Sequence, residues 1–280
     1  MRLGEMRLHV VSDGGFRLDG GAMFGVVPRV VWERKAAPDE NHRIRMATNC
    51  LLVESPGGLI LIDTGIGDKN DAKFRDMFGM KEEETRLPEA IQALGFALED
   101  VRHVLLTHLH FDHSGWNTRF EGDEIVPTFP NASYWIERDE LEHARNPNLR
   151  DRASYDARNW DALLAAGVVR EFEREAEPVL GVRALKVRGH NADMCIVLIE
   201  SMGSKAVYWA DLVPTTHHLS YPWVMGYDLY PLETLENKRH WLPRAHAEGW
   251  VCFFEHDPDI ACGKLVEERP GRFRAEPVLA

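Results

Sequence analysis

The chain has 280 residues, 44% of them hydrophobic and 28% charged, with a formal net charge of −12. That is enough apolar material for a sizeable core, in a balance ordinary for a globular protein. The acidic excess, without any lysine and arginine cluster, excludes a nucleic-acid partner as the expectation and favours a small neutral or weakly charged substrate.

The opening stretch "MRLGEMRLHVVSDGG" lacks the long apolar core of a signal peptide, and no run approaches the ~20 apolar residues of a membrane span. A cytoplasmic protein with no membrane partner is expected. "RLHVV" reads as a first strand. The glycine-rich, apolar stretch Gly14 to Trp32 follows, and the wider segment 14–46 is expected to form an irregular substrate loop. "NCLLVES" and "LILID" are apolar runs joined by Pro56, Gly57 and Gly58, which predicts a hairpin. "LPEAIQALG" predicts a helix, with Pro88 near its start, Leu87, Ile91 and Leu94 on one face and Gly95 as its stop. "HVLLT" and "ASYWIE" read as strands, then "RDELEHAR" and "SYDARNWDALLAAG" as helices.

A second group of strands follows in "VRALKV", "CIVLIE", "AVYWA" and "VCFFE". The segment 214–231 carries Tyr221, Trp223, Tyr227 and Tyr230 and is expected as a second substrate loop, because bare aromatic surface is costly in water. "LETLENKRHW" has helical spacing, which Pro243 is expected to interrupt. Strands then helices, twice over, suggest two packed sheets with helices outside. No repeat or low-complexity linker divides the chain, so residues 1–280 are expected as one domain. Cys50, Cys195, Cys252 and Cys262 form no Cys-x-x-Cys pair and are expected as buried free thiols.

The chemistry concentrates in "THLHFDHSG", Thr107 to Gly115. Imidazole nitrogen and carboxylate oxygen are good ligands for zinc and similar ions. His108 and His110 lie two apart at a strand end, so extended backbone points both the same way. Asp112 and His113 fall where the chain turns towards a new element, which lets the motif serve one ion and a neighbour. A hydrolytic two-ion site needs more ligands from distant segments. His190 after "ALKVRG", Asp211 after "AVYWA" and His256 after "VCFFE" each end an apolar run, where a rigid sheet can project them into a shared cleft.

On "LIDTG" (Leu61 to Gly65), "THLHFDHSG", and the endings "RGH", "AD" and "EH" at His190, Asp211 and His256, the sequence resembles the metallo-β-lactamase-fold hydrolases. The resemblance implies an α/β protein with an αββα sandwich and metals at the edge where the two sheets meet. It implies that His108, His110 and His190 hold one ion, that Asp112, His113 and His256 hold the second, and that Asp211 bridges them. Asp63 would orient the ligands. His103 and His143 have no place in the motif set. Lactam-hydrolysing members lack a bridging aspartate where Asp211 stands. The layout is most similar to the N-acyl homoserine lactonases and methyl parathion hydrolases, whose strand-then-helix "FPNASYWIERDELEHA" (Phe129 to Ala144) resembles.

Such a resemblance implies a binuclear hydrolase acting through a metal-bridging hydroxide on lactones or carboxylic esters. Two divalent ions are implied, zinc first, with manganese, iron, cobalt or nickel suiting the same donors. Asp112 is placed to pass a proton to the leaving group. Some lactonases carry a tyrosine three residues after the bridging aspartate, and here that place is Pro214. Tyr221, Tyr227, His217 and His218 are candidates to substitute, so Asp112, His217, His218 and Tyr227 are the candidate catalytic residues. The alternatives are a phosphotriesterase or phosphodiesterase on the same ions, and a glyoxalase-II-like thioesterase, which should carry a basic patch that is not visible here. Relatives often pair, which makes a homodimer a family-level expectation.

Overall fold

The computed structural model describes residues 1–80 and 86–279. The first half of the chain supplies β1 (Arg2–Leu3), β2 (Met6–Asp19), β3 (Arg43–Ser55), β4 (Gly58–Ile62) and β5 (Val101–Leu105). A separate hairpin, β6 (Thr118–Glu121) with β7 (Glu124–Pro127), precedes β8 (Ser133–Glu137) and β9 (Val169–Phe172). The first sheet runs β1-β2-β3-β4-β5-β8-β9. It is antiparallel up to β4 and parallel beyond it. The second half supplies β10 (Glu175–Val179), β11 (Val182–Lys186), β12 (Cys195–Ser201), β13 (Ser204–Tyr208), β14 (Val251–Phe253), β15 (Cys262–Arg269) and β16 (Arg272–Pro277). These lie in chain order in a second sheet, antiparallel except for the parallel pair β13 and β14.

Side-chain alternation decides what each sheet face meets. Leu51 and Val53 of β3 and Ile60 and Ile62 of β4 pack with Val182, Ala184, Ile196 and Ile199 of the second sheet. Their neighbours Cys50, Leu52, Leu59 and Leu61 point the other way. There they meet Leu87 and Ile91 of a helix over Leu87–Ala93, Leu141 of another over Arg138–Arg145, and Leu163 of a third over Asp161–Ala165. The long helix Pro231–Ala247 brings Trp241, Leu242 and Ala245 against the second sheet's cluster. Two sheets face to face with helices outside make the αββα sandwich the sequence suggests. All four cysteines are buried and free. No helix among the described residues is long and apolar enough to cross a membrane.

Three local expectations change. The segment 14–46 is not one irregular loop. Gly14 to Asp19 continues β2, and Arg43 to Asn49 opens β3, paired from Gly15↔Ala47 to Asp19↔Arg43 after a bulge. Phe16, Ile44 and Met46 bury there in a small third cluster, which is why this stretch is strand. Between those strands stand only short helices at Gly20–Phe24 and Arg29–Trp32. The helix expected over 154–167 breaks into short turns before Asp161, because the Asp156 carboxylate accepts the Arg158 amide and so starts a new turn over Ala157–Asn159. Pro243 lies within Pro231–Ala247 without ending it. The packing of Trp241, Leu242 and Ala245 on both sides of the proline outweighs its helix-breaking tendency.

That last helix also positions the segment 214–231. Its Lys238 is fully buried, and the ammonium donates to the carbonyls of Ser220 (2.8 Å), Tyr221 (3.3 Å) and Trp223 (2.8 Å). Burial pushes Lys238 down to about 7, with only the charge of Asp228 resisting. In the unfolded chain a lysine titrates near ~10.4. Between those values the unfolded state binds more protons, so stability should rise with pH. Urea unfolding at pH 7.0 and pH 9.5 should show the wild type gaining stability relative to Lys238→Met. An equal pH dependence in both proteins would contradict the assignment.

Candidate metal centre

The site forms where strand ends converge. Past β5 the chain bends at Thr107 and reaches His110, which is extended and caps a one-turn helix, Phe111–Ser114, carrying Asp112 and His113. The turn after β4 holds this motif in place. The Thr64 amide donates to the His113 carbonyl (2.7 Å), the Gly115 amide to the Gly65 carbonyl (2.7 Å) and the Trp116 amide to the Thr64 carbonyl (3.0 Å). Only glycine fits at 115, because a Cβ there would lie 1.9 Å from the Ile66 carbonyl carbon. Lys69 adds its buried ammonium to the carbonyls of Gly115 and Thr118.

His108, His110, His190 and Asp211 each present a ligand atom, all within 4.8 Å of one another. Asp112, His113 and His256 form a second such group. Asp211 touches both: one oxygen lies 3.0 Å from His190 Nε2 and 3.6 Å from His113 Nε2, the other 3.2 Å from His256 Nε2. The structure therefore brings together all seven residues singled out by the sequence, and all are buried.

Four of the five rings are oriented from behind, while His110 turns its Nδ1 towards His190. His113 Nδ1 donates to Asp63 (3.0 Å) with Glu255 at 2.9 Å, His190 Nδ1 to Asp228 (3.0 Å), and His256 Nδ1 to the Ala47 carbonyl (2.8 Å). His108 Nδ1 lies 3.1 Å from the Thr107 hydroxyl, which itself donates to Asp63 (2.7 Å). With those protons turned away, the Nε2 lone pairs face inward. His256 Nε2 then lies 3.2 Å from His113 Nε2, and His190 Nε2 lies 3.0 Å from His110 Nδ1. Two lone pairs at such distances repel unless a proton or a metal cation lies between them. His108 Nε2 is buried and without a hydrogen-bond partner among the described residues. The donor set therefore fits divalent ions, and nitrogen with carboxylate oxygen suits zinc or its neighbours.

The electrostatics agree. Burial opposes charge on His113, yet Glu255, Asp211 and Asp112 outweigh it and hold the ring well above its usual value. His256 rises to about 9 against burial, through Asp211 and Glu255. Burial opposes charge on Asp211 too, but His190, His256 and His113 hold it well below the usual carboxylate range. His108 and His110 shift down through burial and the neighbouring rings. The carboxylates thus favour positive charge in this pocket. Elsewhere, Glu137, Asp139 and Asp193 also cluster, but the Lys186 ammonium already occupies their centre at 3.0, 2.9 and 2.6 Å.

The family model of the metallo-beta-lactamase superfamily matches residues 43–250. The chain belongs to that superfamily. A probable metallo-hydrolase of Mycobacterium tuberculosis is 31% identical over 158 residues, covering 50% of this chain and 46% of that protein. An N-acyl homoserine lactonase of Bacillus cereus is 29% identical over 169 residues, covering 56% of this chain and 60% of that one. The chain spans about half the length of the curated relatives it matches. A solved structure of a probable metal-dependent hydrolase from Staphylococcus aureus is 30% identical, with a TM-score of 0.90 over 100% of both chains. A dizinc quorum-quenching lactonase is 22% identical with a TM-score of 0.80, covering 100% of this chain and 97% of that one, a likeness of fold.

Over this superfamily's donor set lies a cavity of about 590 Å³. His110, Asp112, His190, Asp211 and His256 line it, with apolar walls from Leu18, Met23, Phe78, Phe111 and Met225. Both segments singled out from the sequence contribute, through Leu18 to Met23 and through Met225 to Leu229. Tyr227 lines the cavity, but His217 and His218 do not. The His218 ring stacks on Phe24, its Nε2 donates to the Met23 carbonyl (2.8 Å), and its Nδ1 lies 2.8 Å from the Thr215 hydroxyl. Burial pushes it down to about 3. It ties 214–231 to the first helix. His217 and Tyr221 line a separate cavity. His103 bonds Trp135, and His143 bonds Asp151.

Sequence reasoning passes over Asp228, Glu255, Glu140 and Tyr155, which stand behind the two donor groups. Glu255 carries a signal in its place beside His256. The others carry none, since each is an ordinary polar residue until the fold closes. The tight approach at Gly115 yields a prediction. Gly115→Ala should lower stability by about 3 kcal/mol, read by urea unfolding, because backbone rather than a flexible side chain must give way. Unchanged stability would mean that the two turns are not held together as described.

Proposed function

We propose that this protein is a metal-dependent hydrolase of lactones or carboxylic esters, with His108, His110 and His190 on one ion, Asp112, His113 and His256 on the other, and Asp211 between them. The observation that carries the reading is the pair of buried donor groups sharing Asp211 at the floor of an apolar cavity. When bound, two divalent ions, zinc foremost, would supply Lewis acidity and an activated water.

The chain's own groups do the rest. Leu18, Met23, Phe78 and Met225 take the apolar part of the substrate and exclude water from it. Asp112 faces the same cavity and would take the proton released by the attacking water and hand it to the leaving oxygen. Tyr227 is partly exposed where it lines the cavity, and its phenol, like any tyrosine, keeps its proton at neutral pH. Tyr227 can then donate to a substrate carbonyl, the role left vacant at Pro214. The apolar walls favour an uncharged ester over a phosphodiester anion. They also offer little to a thioester carrier such as glutathione, since Arg150 is the one cation lining the cavity among the described residues.

A panel of lactones, aryl esters, phosphotriesters and thioesters tests the substrate class. Lactones or aryl esters should lead, and a clear preference for phosphotriesters would move the assignment to that class. His108→Ala and Asp211→Ala should each lower kcat/KM by about 10³-fold or more, and metal analysis should find about two ions per wild-type chain. Full turnover by metal-stripped protein would end the reading. Tyr227→Phe should lower kcat by about tenfold with little change in KM.

A further inference from the structure

Glu140 is a carboxylate almost fully shut off from water, on a helix that supplies no ligand. It stands in the first turn of Arg138–Arg145, where Glu137 accepts the amides of Asp139 (2.6 Å) and Glu140 (3.0 Å) and so fixes the turn. Three donors converge on it. One oxygen accepts the Leu109 amide (2.8 Å) and the Tyr155 hydroxyl (3.2 Å), and the other accepts the Asn191 side-chain amide (2.8 Å).

The partners are informative by their places in the chain. Leu109 lies between His108 and His110. Asn191 follows His190, and its own oxygen accepts the amides of Asp193 (2.9 Å) and Met194 (2.6 Å). That fixes the amide, so its NH2 must face Glu140. Tyr155 forms an isolated backbone bridge with His110 and sets its ring edge-on to that imidazole, 4.9 Å between centroids. One side chain thus holds the two segments that carry three imidazoles, although they lie 80 residues apart.

We propose that Glu140 is the positioning residue of the first donor group: its carboxylate ties the His108–His110 segment to the His190 turn and sets the spacing of the three rings. This rests on the two-ion reading above. Glu140 does not line the cavity and belongs to neither donor group. Its effect is on how well one ion is held, and the second group, Asp112, His113 and His256, stands on Asp63, Glu255 and Ala47 instead.

The test is metal affinity, read without turnover. Metal-free wild type, Glu140→Gln and Asn191→Ala are titrated with Co²⁺, followed by absorption, and zinc content is measured after gel filtration. Glutamine keeps the shape but must turn an NH2 towards either Leu109 or Asn191, both donors. One of the two binding steps should weaken by about 10- to 100-fold in Glu140→Gln, and the same step should weaken in Asn191→Ala, with the other step unmoved. Glu142→Gln, on the exposed side of the same helix, should bind as wild type does. Circular dichroism of the metal-free proteins shows whether each variant is folded, and the isosteric glutamine and the Asn191 variant guard against a loss of fold. Two ions bound at wild-type affinity by both folded variants would overturn this inference alone. A wild type that takes up no divalent ion would overturn the two-ion reading with it.

Discussion

Imidazoles can turn their lone pairs together onto a cation only if the proton on each ring points away, and that requirement organises the surroundings of four of the five rings. Each outward proton needs an acceptor of its own. Here the acceptors come from unrelated places: the Thr107 hydroxyl, the Asp63 and Asp228 carboxylates, and the Ala47 carbonyl. Asp63 does double duty, because its second contact, with the Thr107 hydroxyl, relays its hold to His108. The protons on His108, His113, His190 and His256 are therefore set by groups that do not line the cavity. Replace one of them with a donor and the ring would turn its N–H inward, where the proposed metal centre needs a lone pair.

The fold meets this requirement with a device used twice. Each sheet contains neighbouring parallel strands whose carboxyl ends open on the same edge. In the first sheet Ile62 pairs with Leu105, and in the second Tyr208 pairs with Phe253. His108 lies three residues past Leu105, Asp211 three past Tyr208 and His256 three past Phe253. Asp63 follows Ile62 directly and so sits behind the rings. Parallel strands end together without a connecting turn between them, which leaves their ends free to carry chemistry. The antiparallel strands around them mainly contribute packing, with one exception: the connection between β11 and β12 carries His190.

This is also why so much of the site could be read from the sequence. A ligand at the end of an apolar run keeps both signals, the run and the residue, within a few positions. The same locality explains the sandwich: the alternation in "NCLLVES" and "LILID" states which side chains share a face. What escaped notice depends on closure of the chain. Asp228 meets His190 across 38 residues, and Glu140 meets Leu109 across 31. Neither has a pattern of its own. The pair His217 and His218 failed in the opposite sense. Two histidines in an aromatic loop look like chemistry, but a buried imidazole is also a compact way to join two segments, and both nitrogens of His218 are used so. Burial of Phe16, Ile44 and Met46 likewise turned an apparent loop into strand, because a glycine-rich stretch tolerates a bulge that restores the alternation beyond it.

Precision of this kind leaves its mark on the backbone. Asp63 (φ 57°) and Ala210 (φ 47°) both adopt the left-handed region, which costs a non-glycine residue roughly 1–2 kcal/mol. One is the residue that orients His113, and the other immediately precedes Asp211. Each stands where a strand must turn abruptly so that the next side chains face the edge. Glycine would relieve the strain but would free the turn in the unfolded chain and loosen it in the folded one. At Ala210 the methyl group is buried among the second sheet's core residues, so packing holds the turn in its strained form. At Asp63 the carboxylate does so, through the Thr107 amide, the Thr107 hydroxyl and His113. The strain is therefore local and opposed by contacts that also orient ligands, which is the combination expected where geometry matters more than stability.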